Sequence, residues 1–166
     1  MMFFRRTPSS LALGTGCAAL ALLAGALGFQ YLVRLPPCEM CMWQRYPHIV
    51  AAVIGIGAFL LARAHMIAER AAVPLAIVAV AFVAVSGAIG VYHAGVEWQW
   101  WPGPQACTGA AFQSLGGPLD LNAPVVRCDH AAWRLLGISL AGYNAILSFA
   151  IAGAGAYGIG KSGRAR

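Results

Sequence analysis

Five cysteines dominate the reactive side chains of this chain: Cys17, Cys38, Cys41, Cys107 and Cys128. Cys38-Glu39-Met40-Cys41 forms a C-x-x-C. A bridge across two residues closes a tiny ring, gains little from loop-closure entropy, and is usually redox-active rather than structural. Four cysteines allow three pairings; with Cys38 and Cys41 as one pair, Cys107 and Cys128, 21 positions apart, remain as the other. Two rival readings use the same residues. In one, both bridges are inert staples of loops. In the other, the four thiols hold zinc, but that site asks for a second closely spaced pair or neutral histidines nearby, and the spacing from Cys107 to Cys128 fits it poorly.

The neighbours of the C-x-x-C favour redox chemistry. Pro36-Pro37 stop any preceding helix, so a new helix is expected to start near Cys38, where its N-terminal amides and dipole would favour a thiolate. Arg45 follows Cys41 by four residues and falls on the same helical face one turn deeper. There a guanidinium can stabilise a thiolate or polarise a carbonyl oxygen; it can also serve as an interfacial anchor. A reduced C-x-x-C needs an electron acceptor. The chain has no glycine-rich dinucleotide motif and no haem-attachment C-x-x-C-H. A lipid-soluble acceptor, such as a membrane quinone, would suit a pair at the mouth of a bilayer helix.

The elements that must carry these residues are visible in the distribution of charge. Of 166 residues, 60% are hydrophobic and 10% charged, with a mean hydropathy of +0.72. Soluble domains carry about 25% charged residues. The composition excludes a disordered chain, an ordinary cytosolic enzyme and a nucleic-acid-binding domain. The net charge of +6 sits in small clusters at the ends of apolar runs. Residues 7–33, 46–62, 71–96 and 135–160 contain no charge. A helix needs roughly 20 apolar residues to cross a bilayer core. Three runs are long enough outright, and the second suffices if its helix starts before Arg45 and Arg63 snorkels. The expectation is one all-α polytopic domain, a four-helix transmembrane bundle with spans 11–33, 43–63, 72–96 and 135–158, and loops 34–42 and 97–134. Residues 98–119 are also uncharged but hold Trp98, Trp100, Trp101, Pro102, Pro104 and Pro118. They are expected as a long loop lying partly at the membrane surface.

Four spans put both termini on one side, with seven Lys and Arg there against four on the other. The positive-inside rule makes that side cytoplasmic. Cys38, Cys41, Cys107 and Cys128 then all face an oxidising compartment, where disulfides persist. The first run exceeds a signal-peptide core and lacks a small-residue cleavage site, so it is read as a retained span. Cys17, inside it, is expected as a small buried apolar residue. The many glycines and alanines are read as packing residues that let helices approach.

Four runs together resemble the disulfide bond formation protein B (DsbB) family: Cys38-x-x-Cys41-x-x-Gln44-Arg45, Tyr92-His93, Pro102-Gly103-Pro104-Gln105-Ala106-Cys107, and Cys128 with Trp133 five residues on. The resemblance covers nearly the whole chain and includes the four-span topology. That family takes part in the DsbA–DsbB–quinone relay that keeps the bacterial periplasm oxidising. It implies a thiol:quinone oxidoreductase of the inner membrane. A reduced DsbA-like thioredoxin-fold partner would attack the Cys107–Cys128 disulfide at Cys107. Cys128 would attack Cys38, and Cys41 would leave as a thiolate beside a quinone, ubiquinone ahead of menaquinone. Arg45 would hold the quinone, with His93 a looser match as a second quinone contact. The loop between Cys107 and Cys128 is shorter than in some members. Against this stands a structural or transport protein with two inert disulfides. A vitamin K epoxide reductase-like enzyme ranks lower, since its C-x-x-C comes late in the chain.

Overall fold

The computed structural model describes residues 7–105, 107–108 and 126–164. Four long helices follow one another: α1 (Pro8–Tyr31), α2 (Glu39–Arg63), α3 (Ala72–Glu97) and α4 (Leu140–Arg164). All four are long and apolar enough to cross a membrane. At 24 to 26 residues they rise about 36–39 Å. Each end is set by local chemistry. Pro8 occupies the first turn of α1, where its missing N–H costs nothing, and the Thr7 hydroxyl accepts from the Ser10 N–H at 3.3 Å. Cys38 caps α2, its sulfur accepting from the Cys41 N–H at 3.2 Å.

The first three spans begin and end within a few residues of expectation. The fourth does not begin at 135. Arg134–Leu135 (β1) pairs antiparallel with Ile138–Ser139 (β2). The two residues between them, Leu136 and Gly137, take φ of 51° and 81°. Positive φ at both positions makes the tight turn that matches strand twist. A short run of Leu, Leu, Gly and Ile carries no charge, so a charge count cannot separate it from the helix behind it. Ser139 Oγ accepts from the Gly142 N–H at 3.2 Å, capping the first turn of α4.

The bundle closes through small side chains. Its innermost cluster joins Ala19, Ala51, Ala52, Val83 and Ala152, and a second joins Ala12, Ala58 and Ala76. Lipid removes the hydrophobic drive between helices, so contact depends on close backbone approach. That approach is tightest where Gly16 of α1 meets Gly55 of α2: a Cβ on Gly55 would strike the Ala12 carbonyl and lie 2.9 Å from Gly16 Cα. Of the glycines near the end of α4, Gly155 packs on Val80 and Thr15 and Gly158 on Leu11, whereas Gly153 and Gly160 face open space. Cys17 is exposed on the outside of the bundle, contrary to the expected burial; the adjacent Thr15 and Gly16 take the inner face. At the far end, Glu69 receives the Ser9 N–H at 3.1 Å and the Ser9 hydroxyl at 2.7 Å, joining the start of α1 to the turn before α3.

Gly55→Leu should destabilise the fold by about 1–3 kcal/mol, the usual cost of overpacking. Gly57, on the same helix, has no atom within 4 Å of a built Cβ, and Gly57→Leu should leave thermal unfolding in detergent unchanged. Equal melting shifts for the two variants would mean that the α1–α2 crossing is not set by glycine.

Candidate redox site

Cys38, Cys41, Cys107 and Cys128 all meet at one end of the bundle. Cys107 and Cys128 are joined by a disulfide with a Cα–Cα distance of 5.4 Å. Cys38 and Cys41 are free thiols. Cys38, Cys107 and Cys128 share one buried cluster with Met40 and Val96, and Cys41 and Val126 pack against it. Two pairs separated by more than sixty residues of chain are therefore neighbours.

Local folding explains how the outer pair is held there. The chain leaving α3 turns back on its last turns: Trp101 Nε1 donates to the Tyr92 carbonyl at 2.8 Å, and the Tyr92 hydroxyl donates to the Pro102 carbonyl at 3.1 Å. Trp101 lies flat on Gly95, where a Cβ would enter its ring. Gly103 lies equally close to Val96 and Thr108. The Cys107 and Thr108 N–H groups both donate to the Pro104 carbonyl at 3.1 Å, and the Cys128 N–H donates to the Cys107 carbonyl at 2.8 Å. Beside Cys128, Arg127 grips Asp129 with two parallel bonds of 2.8 and 2.6 Å. That guanidinium holds the Asp129 carboxyl below the usual carboxylate range. Ala106 and residues 109–125, which include much of the expected surface loop, lie outside the described residues.

Cys38 sits where its helix-capping position favours a thiolate, but the thiol is pushed up instead. Its hydrogen bond with the Cys41 sulfur is the main cause, and burial adds to it. His93 Nε2 lies 3.6 Å from Cys38 Sγ and 3.7 Å from Glu97 Oε1. The reactive atoms of Cys38, Cys41 and His93 all fall within 4.8 Å of one another. His93 also lies against the Cys128 main chain. The structure thus places His93 against Cys38, and the same residue lines the cavity below Cys41.

Below Cys41 a cavity of about 430 Å³ opens between α1, α2 and α4, lined among others by Ala26, Phe29, Cys41, Arg45, Asn144 and Leu147. Cavities of this size hold small-molecule ligands. Trp133 roofs it, with ring centroids 5.0 Å from Phe29 and 6.2 Å from Tyr143. Arg45 turns its guanidinium to α1, donating to Gln30 Oε1 at 2.5 Å and to the Ala26 carbonyl at 3.4 Å. A guanidinium has five donors, so this anchoring leaves it able to meet a further acceptor.

Several polar residues were not singled out for a role by sequence. Gln44, Ser86, His48, Asn144 and Ser148 form one buried hydrogen-bonded network across α2, α3 and α4. Glu97 is buried and its Oε2 has no hydrogen-bond partner among the described residues. A signal existed for each: polar side chains within apolar spans are costly and therefore informative, and Glu97 follows His93 by one helical turn.

Comparison with known proteins agrees with this arrangement. The family profile for disulfide bond formation protein DsbB matches residues 8–158. A disulfide bond formation protein B from a Polaromonas species is 30% identical over 160 residues, covering 92% of this chain and 90% of the relative. One from Verminephrobacter eiseniae is 32% identical over 157 residues, covering 89% and 83%. A Shewanella relative with the same name reaches 45% over 58 residues, a third of each chain. No solved structure matches the chain significantly. Four apolar spans, one bridged and one free cysteine pair packed in a single cluster, and a profile match along nearly the whole length make this chain a multi-pass membrane protein of the DsbB family, a redox protein of disulfide bond formation.

Proposed function

We propose that the protein is a thiol:quinone oxidoreductase that re-oxidises a DsbA-like thioredoxin-fold dithiol oxidase and passes the electrons to a membrane quinone. The observation that carries this reading is the shared cluster of the two cysteine pairs, directly above a largely apolar cavity that also reaches Arg45. Inert staples have no need of a free C-x-x-C packed against a disulfide. The Lys and Arg asymmetry of the sequence supports cytoplasmic termini in a bacterial inner membrane, with the cysteine end in the periplasm.

The relay follows from thiol–disulfide exchange, in which a thiolate attacks one sulfur and expels the other. A partner thiolate attacks Cys107, forming a mixed disulfide and releasing Cys128 as a thiolate. Cys128 attacks Cys38 of the oxidised inner pair and expels Cys41. The second partner thiol then attacks the mixed disulfide, leaving the partner oxidised and freeing Cys107. Cys107 recloses on Cys128 and releases Cys38. The net result is an oxidised partner, a closed outer bridge and a reduced inner pair. A quinone supplies a two-electron, two-proton sink for the inner dithiol. The residues present fit one: the cavity is mostly apolar, it reaches Cys41, and Arg45 stands one turn below as a donor for a carbonyl oxygen. Ubiquinone is the proposed acceptor ahead of menaquinone, and His93 the proposed second polar contact.

Two experiments test this reading. Arg45→Ala should raise the apparent KM for a soluble ubiquinone analogue roughly tenfold or more, the worth of one charge-assisted hydrogen bond. Its KM for the reduced partner should not move; an unchanged quinone KM would leave Arg45 only an interfacial anchor. A partner lacking its second cysteine cannot resolve the first mixed disulfide. In quinone-oxidised protein its single thiolate should open the Cys107–Cys128 bridge, with Cys128 passing on to Cys38, and a reductant-sensitive complex through Cys107 should accumulate on a non-reducing gel. A complex mapped to Cys128, Cys38 or Cys41 instead of Cys107 would refute the proposed order.

A further inference from the structure

We infer that Gln44 is a positioning residue that fixes His93 as its Nε2–H tautomer, so that a neutral imidazole faces Cys38 as a hydrogen-bond donor. The inference deepens the thiol:quinone reading, and its consequence for rate rests on that reading. The Ser86 main-chain carbonyl can only accept, and Asn144 Nδ2 lies 3.2 Å from it. The same nitrogen lies 2.8 Å from Gln44 Oε1, so that atom is the acceptor of the Gln44 amide. The opposite end, Gln44 Nε2, must then donate, and it does so to the Met40 carbonyl at 3.1 Å, a second acceptor without alternative. The remaining hydrogen of Nε2 points at His93 Nδ1, 2.8 Å away.

A nitrogen that receives a donated hydrogen at this distance carries none of its own. In a neutral imidazole one ring nitrogen bears the proton and the other accepts. The proton of His93 therefore sits on Nε2, the atom 3.6 Å from Cys38 Sγ and 3.7 Å from Glu97 Oε1. Both neighbours are acceptors for it. Cys38 Sγ already accepts the Cys41 N–H, and the other oxygen of Glu97 has no hydrogen-bond partner among the described residues. An N–H aimed at sulfur favours the Cys38 thiolate when the Cys38–Cys128 bond breaks. Held this way, His93 cannot take the Cys38 proton, because Nε2 is occupied and protonation at Nδ1 would set two donors against each other. Oxidation of the inner dithiol forms one S–S bond, breaks two S–H bonds and sends two electrons and two protons to the quinone; the ring proton of His93 is neither gained nor lost.

The same residue orients the second buried histidine oppositely. His48 Nδ1 lies 3.0 Å from the Gln44 main-chain carbonyl, an obligatory acceptor, which places the proton of His48 on Nδ1. Two histidines governed by one glutamine should therefore show opposite tautomers in one spectrum.

Two-bond 15N–1H correlation of the ring nitrogens in detergent-solubilised protein near neutral pH reads this directly. His93→Gln and His48→Gln assign the signals. The expected result is hydrogen on Nε2 alone for His93 and on Nδ1 alone for His48. Hydrogen on Nδ1 of His93, or on both nitrogens, overturns the inference. Gln44→Glu places an acceptor opposite Nδ1 and should move the His93 proton there. Oxidation of the inner dithiol should slow at least about tenfold, as it does when a catalytic imidazole is held in the wrong tautomer, with the KM for the partner unchanged. A His93 tautomer that ignores this change would remove Gln44 from the role, and a switched tautomer with an unaltered rate would remove its importance for the reaction. Should Gln44→Glu fail to fold, Asn144→Leu frees the Gln44 amide to flip and should yield both His93 tautomers; one unchanged tautomer overturns the chain of orientation. A wild-type protein that shows the expected tautomers and reduces no quinone would refute the proposed function alone.

Discussion

Gln44 bonds within α2 and to both α3 and α4, and much of the architecture around the cysteines depends on that junction. Its amide receives Asn144 of α4 and donates to His93 of α3, while its main-chain carbonyl receives Ser86 of α3 and His48 of its own helix. In an apolar surrounding each unsatisfied polar group costs several kcal/mol. A network that satisfies its members at one relative placement of three helices penalises any slide or rotation between them. Alanine and glycine packing permits close approach but is nearly featureless along a helix, so directional bonds of this kind supply the register that small side chains cannot.

That register matters at the cysteine end. The capping position of Cys38 fixes its sulfur over the first turn of α2, and His93 and Val96 bring α3 against it. The returning chain after α3 then has one seat, made by Gly95 under Trp101 and by the bonds between Tyr92 and the loop. Cys107 rides on that seat and carries Cys128 with it through the disulfide. Redox exchange needs sulfur to meet sulfur in line. The packing at this end of the bundle brings the two cysteine pairs into one cluster with no bond between the pairs.

The cavity and the thiols share walls: Cys38 and Cys41 both line the chamber, along with Phe29 and Leu147. Cys38 is in addition part of the buried cluster that holds Cys107 and Cys128. In the proposed relay this makes Cys38 the sulfur placed to exchange with the outer pair. Glu97 adds a buried carboxyl at the point where the two regions meet. Its neighbours are Cys38 and Cys41 at the start of α2, His93 on its own helix, and Arg134 and Ser139 on the hairpin.

The sequence by itself located four apolar helices, and the C-x-x-C at the start of the second, because these depend on local quantities: runs without charge and the spacing of Cys38 and Cys41. Charge counting could not see the hairpin at residues 134–139, since its apolar residues and single turn glycine look like the start of a helix. Nor could it find the inward face of α1, where Cys17 points outward and Gly16 inward, because the weak amphipathicity of a lipid-facing helix leaves no periodic signal. Gln44 was legible as part of a motif, but not as the residue that orients His93. That role exists only once Ser86, Asn144 and Met40 stand around it, and hydrogen-bond direction across three helices is a property of their packing. The meeting of Cys128 with Cys38 is of the same kind, decided by where the tertiary fold returns the chain.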